Sequence, residues 1–300
     1  MTDKIKEKAS WRPLYPFRSN YLDRSGMKYH YLDEGRGHPI VMVHGNPTWS
    51  FYYRSLILGL RDNYRTIVPD HLGCGLSDKP TTKTYGYRMA DRVADLTALL
   101  DHLALNEPLT LIVHDWGGAI GMAWAVRHPE RIRRLVVLNT AAFIPPVKRL
   151  IPGRLRLIRD VSFFAVPAVL GLNLFARAAT IMAVRRKLSP PARCGLLAPY
   201  DSWPNRLATL KFVQDIPLKP GDPSYADIKF VEDRLGFLSA LPMIICWGRH
   251  DFVFTVEYFS EWRRLFPGAE AHLLHEAGHY ILEDAPDQVL SLVQAFLSRT

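Results

Sequence analysis

Asp115 is the residue of this chain best placed to do chemistry. It stands in LTLIVHDWGGAI, residues 109–120. The run LTLIV is short, apolar and β-branched, so it reads as a buried strand. Gly117 and Gly118 follow at once, and a helical pattern runs from Ala119 to His128. Strand, tight glycine turn and helix make a nucleophile elbow, whose central side chain is presented from a strained backbone. Ser is usual at that position, and Asp115 occupies it here. An aspartate is already ionised near neutral pH and needs no base to activate it. It suits displacement of a leaving group at saturated carbon, with an enzyme ester as the product. N-capping of the following helix is the competing role for Asp115.

Such a nucleophile works with a histidine and with an acid that orients the histidine. After Asp115, the run IICWGRHD ends in Asp251, and EAGHY holds His279. Both follow strand-like apolar runs. Both are therefore expected at the carboxyl edge of a parallel sheet, together with Asp115, where ligands bind. His279 would deprotonate water or assist an elimination rather than activate Asp115. His44 and His114 adjoin the same loops and are expected to make structural hydrogen bonds. Glu283 and Asp284 are further acids, but they follow the histidine where the last helix begins. Asn139 ends another strand and, as an amide, cannot serve as the acid. A departing anion needs donors, and Trp116 (indole N–H) and Asn46 (amide NH2, in HGNPTW) are the candidates. Pocket wall and turn residue are their competing roles.

Elements that would position these residues alternate along the chain. Strands are expected at 29–33, 40–43, 65–69, 109–113, 134–139, 242–247 and 271–274. Helices are expected at 52–60, 89–104, 256–265 and 286–298. The alternation makes an α/β core with a mostly parallel, helix-covered sheet. It stops after Phe143, gives way to a helix-like stretch up to about Pro220, and resumes with the strand at 242–247. The expected organisation is a core of 1–143 and 221–300, interrupted by a helical cap at 144–220. Within the cap, residues 161–184 are strongly apolar. Pro167, Gly171, Asn173 and Arg177 interrupt them, and a membrane span needs roughly 20 consecutive apolar residues. Two cap helices lining an apolar pocket are expected instead.

Composition narrows the class further. At 48% apolar and 22% charged the chain is globular rather than disordered or fibrous. Its start, MTDKIKEKAS, is charged and has no apolar run, so no signal peptide is expected. Cys74, Cys194 and Cys246 are odd in number and lack metal-ligand spacing, which suits reduced thiols in a cytoplasmic protein. The net charge is +9, and its source is local. Between Ile144 and Asp215 stand Lys148, Arg149, Arg154, Arg156, Arg159, Arg177, Arg185, Arg186, Lys187, Arg193, Arg206 and Lys211. Only Asp160, Asp201 and Asp215 oppose them. No nucleic-acid motif accompanies this basic region. A solvated face is one reading of it, and a surface for acidic lipid or an acidic partner protein is the other.

With these residues assembled, the chain resembles the haloalkane dehalogenases of the α/β-hydrolase superfamily. The resemblance rests on His44-Gly45-Asn46-Pro47, on Asp70 with Gly73-Cys74-Gly75-Leu76-Ser77-Asp78, on His114-Asp115-Trp116-Gly117-Gly118 and on Ala277-Gly278-His279. It implies an α/β-hydrolase fold, with a mostly parallel eight-stranded sheet and a helical lid. It also implies Asp115 as nucleophile, His279 as base, Asp251 as acid and Asn46 with Trp116 as leaving-group donors. Epoxide hydrolases share the Asp and His but use two lid tyrosines, and the middle of this lid offers only Tyr200. One branch is more similar still: the β-lactone decarboxylases of bacterial long-chain olefin biosynthesis. The stretches 48–54 (TWSFYYR), 197–218 and 246–254 carry that resemblance. It implies decarboxylation of long-chain cis-3,4-dialkyl β-lactones to cis-alkenes and CO2. Attack at the oxygen-bearing ring carbon and attack at the carbonyl both remain open. It implies no metal or organic cofactor. Its expected partners are the thiolase, reductase and β-lactone synthetase of that pathway, with peripheral membrane contact through the basic cap. Haloalkane hydrolysis to alcohol and halide is the alternative activity. A non-catalytic binding protein would have lost a member of the Asp115, Asp251 and His279 set.

Overall fold

The computed structural model describes residues 10–145 and 151–300. The N-terminal stretch MTDKIKEKA and the cap cations Lys148 and Arg149 lie outside the described residues. Among the described residues eight runs become strands: β1 Ser19–Arg24, β2 Met27–Glu34, β3 Pro39–Val43, β4 Arg65–Pro69, β5 Leu109–Asp115, β6 Ile132–Thr140, β7 Met243–Gly248 and β8 Glu270–Leu274. They form one sheet in the order β1-β2-β4-β3-β5-β6-β7-β8. β2 pairs antiparallel with β1 and β4, and every other pairing is parallel.

The period of two sends alternate side chains to opposite faces. Val41, Leu111, Val137 and Ile245 pack on one core, and Ile40, Ile112, Val136 and Ile244 pack on the other. Helices cover both faces, as buried parallel strands require. In chain order they are α1 Arg54–Leu60, α2 Met89–His102, α3 Trp116–Ala125, α4 Gly153–Asp160, α5 Ser162–Ala165, α6 Leu174–Met182, α7 Pro190–Leu197, α8 Leu207–Gln214, α9 Tyr225–Glu232, α10 Val256–Leu265, α11 Ile281–Asp284 and α12 Pro286–Arg299. α2, α3 and α10 feed the first core, and α1 and α12 feed the second.

Two local features depart from the pattern read in the sequence. β1 (SNYLDR) has no apolar face, since its residues alternate between exposed and half-buried. It is a strand because the Ser25-Gly26 turn, with both residues at positive φ, folds it back onto β2. The helix after the elbow starts at Trp116 rather than at Ala119. Both glycines lie inside its first turn because that turn presses against neighbouring strands. A Cβ on Gly117 would overlap the Val43 carbonyl oxygen, and one on Gly118 would overlap the Thr140 hydroxyl.

Residues 151–214, between β6 and β7, form a helical layer beside the active edge of the sheet. The apolar stretch 161–184 is not one rod. α5 runs into a π-helical turn at Val166–Gly171, and that piece meets α6 at 75°. Asn173 makes the break: it sits at φ +53° and its amide donates to the Tyr200 carbonyl at 2.9 Å. Among the described residues, no single helix is long and apolar enough to cross a membrane. The layer is tied to the core through polar contacts. Asp284 accepts the backbone N–H groups of Arg185 and Arg186 at 2.8 and 2.9 Å, and Tyr280 donates its N–H to the Ala183 carbonyl at 2.8 Å.

Candidate active site

Asp115 is the last residue of β5 and holds φ +51°, ψ −128°, a conformation unfavourable for a residue with a Cβ. Its surroundings over-determine it. The Thr140 hydroxyl donates to the Asp115 carbonyl oxygen. The Asn46 backbone N–H donates to Oδ1 at 2.6 Å. Gly45 packs so closely that any Cβ there would overlap the Asp115 carboxylate. The Asp115 side chain does not make the N-cap hydrogen bond of α3. The carboxylate also feels the Trp116 backbone N–H and lines a cavity of about 340 Å³.

His279 lies in the loop after β8, with Nε2 3.5 Å from Asp115 Oδ2. Its Nδ1 is 2.8 Å from Asp251 Oδ2. The ring is further placed by His114, whose Nε2 is 2.9 Å from the His279 carbonyl oxygen. Asp251 stands in the turn after β7, 4% exposed, with its charge fully engaged. Its Oδ1 accepts the N–H groups of Val253 and Phe254 at 2.7 and 2.9 Å. Its Oδ2 accepts from the Asn139 amide at 2.9 Å as well as facing His279. Three groups remote in sequence thus form one line, Asp115–His279–Asp251, at the carboxyl ends of β5, β8 and β7.

Electrostatics follow from that line. Burial opposes a charged His279, but the Asp251 and Asp115 carboxylates on either side outweigh it and raise the imidazole to about 10. Burial would likewise raise Asp115, yet the hydrogen bond and charge of His279 hold its carboxyl below the ordinary range. Two carboxylates flanking one buried imidazole favour its protonated form at neutral pH. His114 has the opposite fate: burial and the neighbouring His279 charge lower it to about 3, so it stays neutral.

Asn46 enters the site mainly through its backbone. Its side-chain Nδ2 donates to the Thr209 carbonyl at 3.1 Å, leaving one of its two hydrogens for a ligand. Thr209 lies on α8, so the cap orients this amide. Trp116 lines the cavity, packs against Phe212 at 5.5 Å between ring centroids, and its indole N–H has no hydrogen-bond partner among the described residues. The competing groups are engaged elsewhere. Glu283 pairs with Arg54 at 2.6 Å, and Asp284 holds backbone N–H groups of the cap and of Gly278. His44 bonds Gly45 and His71. Tyr200 is fully buried against the Thr48 carbonyl and does not line the cavity.

Asn139 is the residue whose role the sequence did not disclose. As an amide it cannot be the acid. Its side chain instead accepts the Gly248 N–H at 2.8 Å and donates to Asp251, which fixes the acid's turn against the end of β6. The only local signal was its place at a strand end beside the site.

The chain belongs to the alpha/beta hydrolase fold family, whose model matches residues 38–286. A haloalkane dehalogenase from Agrobacterium tumefaciens has a similar solved structure, with a TM-score of 0.84 at 23% identity, covering 94% of this chain and 96% of that one. That likeness concerns the fold. Two curated relatives are nearer in sequence. The cis-3-alkyl-4-alkyloxetan-2-one decarboxylase of Shewanella oneidensis is 48% identical over 288 residues, 96% of this chain and 90% of the relative. The protein of the same name from Xanthomonas campestris is 40% identical over 295 residues, 96% of this chain and 98% of the relative.

Proposed function

We propose that this enzyme decarboxylates cis-3,4-dialkyl β-lactones (oxetan-2-ones) to cis-alkenes and CO2, with Asp115 as nucleophile. The observation that carries the reading is the Asp115–His279–Asp251 line beneath an apolar cavity, in a chain 48% identical to a relative named for that substrate. The geometry favours one point of attack. A carbonyl addition needs donors for the oxyanion. Here the backbone N–H groups of Asn46 and Trp116, which would make that hole, already act on the Asp115 carboxylate. Attack at ring carbon C4 needs no such hole. An Asp115 oxygen bonds to C4, the C4–O bond breaks, and the ring oxygen becomes part of a carboxylate on C3. The remaining Asn46 hydrogen and the Trp116 indole N–H serve that carboxylate.

Backside attack leaves the new C4–O(Asp115) bond anti to the C3–carboxylate bond. The second step is then fragmentation: the C3–CO2 bond breaks, its electron pair forms the C3=C4 double bond, and Asp115 departs as a carboxylate. Inversion followed by anti fragmentation keeps the two alkyl groups cis. No water is consumed and no proton moves. His279 acts as a fixed cation that steadies the departing Asp115 carboxylate, and Asp251 and Asn139 position it.

The test is gas chromatography of the purified chain with a long-chain cis-β-lactone bearing ¹⁸O in the ring, and separately with a bromoalkane. The expected result is cis-alkene with the label in CO2, and turnover far above bromide release. Label in water would place the attack at the carbonyl. Alcohol and bromide from the haloalkane, with the lactone untouched, would make the chain a dehalogenase. Normal alkene formation by Asp115→Ala would remove the nucleophile from the account.

A further inference from the structure

Leu157, Phe164 and Leu174 line the cavity, yet they are 41%, 44% and 48% exposed. They mark its mouth on the cap. Phe163, beside Phe164, is 94% exposed, and Leu172, beside the α6 start, is 62% exposed. Single exposed apolar residues are ordinary, but a contiguous group at the rim of a cavity marks an interaction surface. α6 continues the group. Leu174, Arg177 and Ile181 follow at spacings of three and four residues and share its outer face, and all three are exposed. Arg185, Arg186 and Lys187 come directly after, also exposed. Among the described residues, none of these four cations pairs with an acid. Asp160, before them in sequence, is held by Arg156 and Arg159, and Asp201, after them, accepts the Asn205 amide.

We propose that this face docks on an anionic lipid bilayer, and that the apolar substrate passes between bilayer and cavity through the mouth it surrounds. Charge and shape favour lipid over protein. The bent α5–α6 pair can lay its apolar side chains into the headgroup boundary while arginines reach the phosphates. A protein seated there would plug the cavity mouth, whereas a bilayer is the solvent in which a dialkyl substrate is already dissolved. Only the passage of substrate rests on the proposed reaction, since docking itself is read without substrate.

Flotation of the full chain with vesicles of phosphatidylglycerol and phosphatidylcholine tests it, with pure phosphatidylcholine as comparison. Wild type is expected to float with the anionic vesicles and to release at high salt. Phe163→Asp with Leu172→Asp should weaken binding at least tenfold or so. Changing Arg177, Arg185, Arg186 and Lys187 to Ser should weaken it about fivefold per cation. Neither Phe163 nor Leu172 lines the cavity, so turnover of a dispersed short-chain lactone by that variant should match wild type and report intact folding. The proposal is overturned if wild type stays in the vesicle-free fraction, including the case in which the same face binds a protein. It is equally overturned if neutral and anionic vesicles bind alike, or if the apolar substitutions leave flotation unchanged.

Discussion

Both oxygens of Asp115 are engaged before substrate arrives, Oδ1 by the Asn46 N–H and Oδ2 by His279. The residue-scale predictions follow from that arrangement. Asp115→Ala should retain below ~0.1% of alkene formation, measured by gas chromatography, since loss of a covalent nucleophile removes the reaction path itself. The rate carried by imidazolium should hold through neutral pH and fall as pH rises through about 10. In Asp251→Asn the fall should move to lower pH, because one of two carboxylates holding the proton is gone. Stability has the same sign. His279 is raised in the folded state, so its contribution is complete below the ordinary histidine range and is lost as pH climbs toward about 10. Wild type should therefore lose more Tm between pH 7 and pH 10 than Asp251→Asn does, by calorimetry. Asn139→Ala should lower kcat with little change in KM and cost about 1–3 kcal/mol in a urea melt, because it leaves the Gly248 N–H and part of Asp251 unpaired. Asp115, Asp251 and His279 were legible as types at strand ends. Asn139 was not, because hydrogen bonding across a sheet leaves no mark in local sequence.

Elements position these residues by close approach rather than by propensity. The first turn of α3 touches β3 and β6, where only Gly117 and Gly118 fit. Gly117→Ala should cost about 1–3 kcal/mol by denaturant unfolding, as overpacking does, and should depress turnover further by tilting Asp115. The central strands and the terminal helices were readable because buried parallel strands are continuous apolar runs and amphipathic helices repeat near every fourth residue. β4 and α10 end where the pattern ended, at Arg65–Pro69 and Val256–Leu265. β1 escaped notice because its partner and its turn, not its composition, make it a strand. The bend of the 161–184 stretch had punctuation at Pro167, Gly171 and Asn173, but its angle depends on Asn173 bonding to Tyr200, a contact across 27 residues.

At the scale of the whole molecule, the site exists only where cap meets core. The cavity takes Asp115, Trp116 and His279 from the core and Ala168, Ala178 and Met182 from the cap. Filling it from the cap side should change selectivity before it changes chemistry. Ala178→Phe should lower kcat/KM for long-chain lactones by about tenfold while sparing short-chain ones, by competition assay with mixed chain lengths, since the added ring occupies volume that a chain would fill.

The order of nucleophile, acid and histidine, the strand that precedes each, and the charge of the cap are all properties of the linear chain. They sufficed to mark Asp115 as a nucleophile served by a histidine and an acid, whereas the choice of lactone over haloalkane rested on the resemblance. Tertiary structure alone decided that both oxygens of Asp115 are engaged, that the Asn46 backbone rather than its amide holds one of them, and that His279 is flanked by two carboxylates. Each of these depends on distances between groups brought together from separate strands, and a proton's position depends on burial and on the charges within reach.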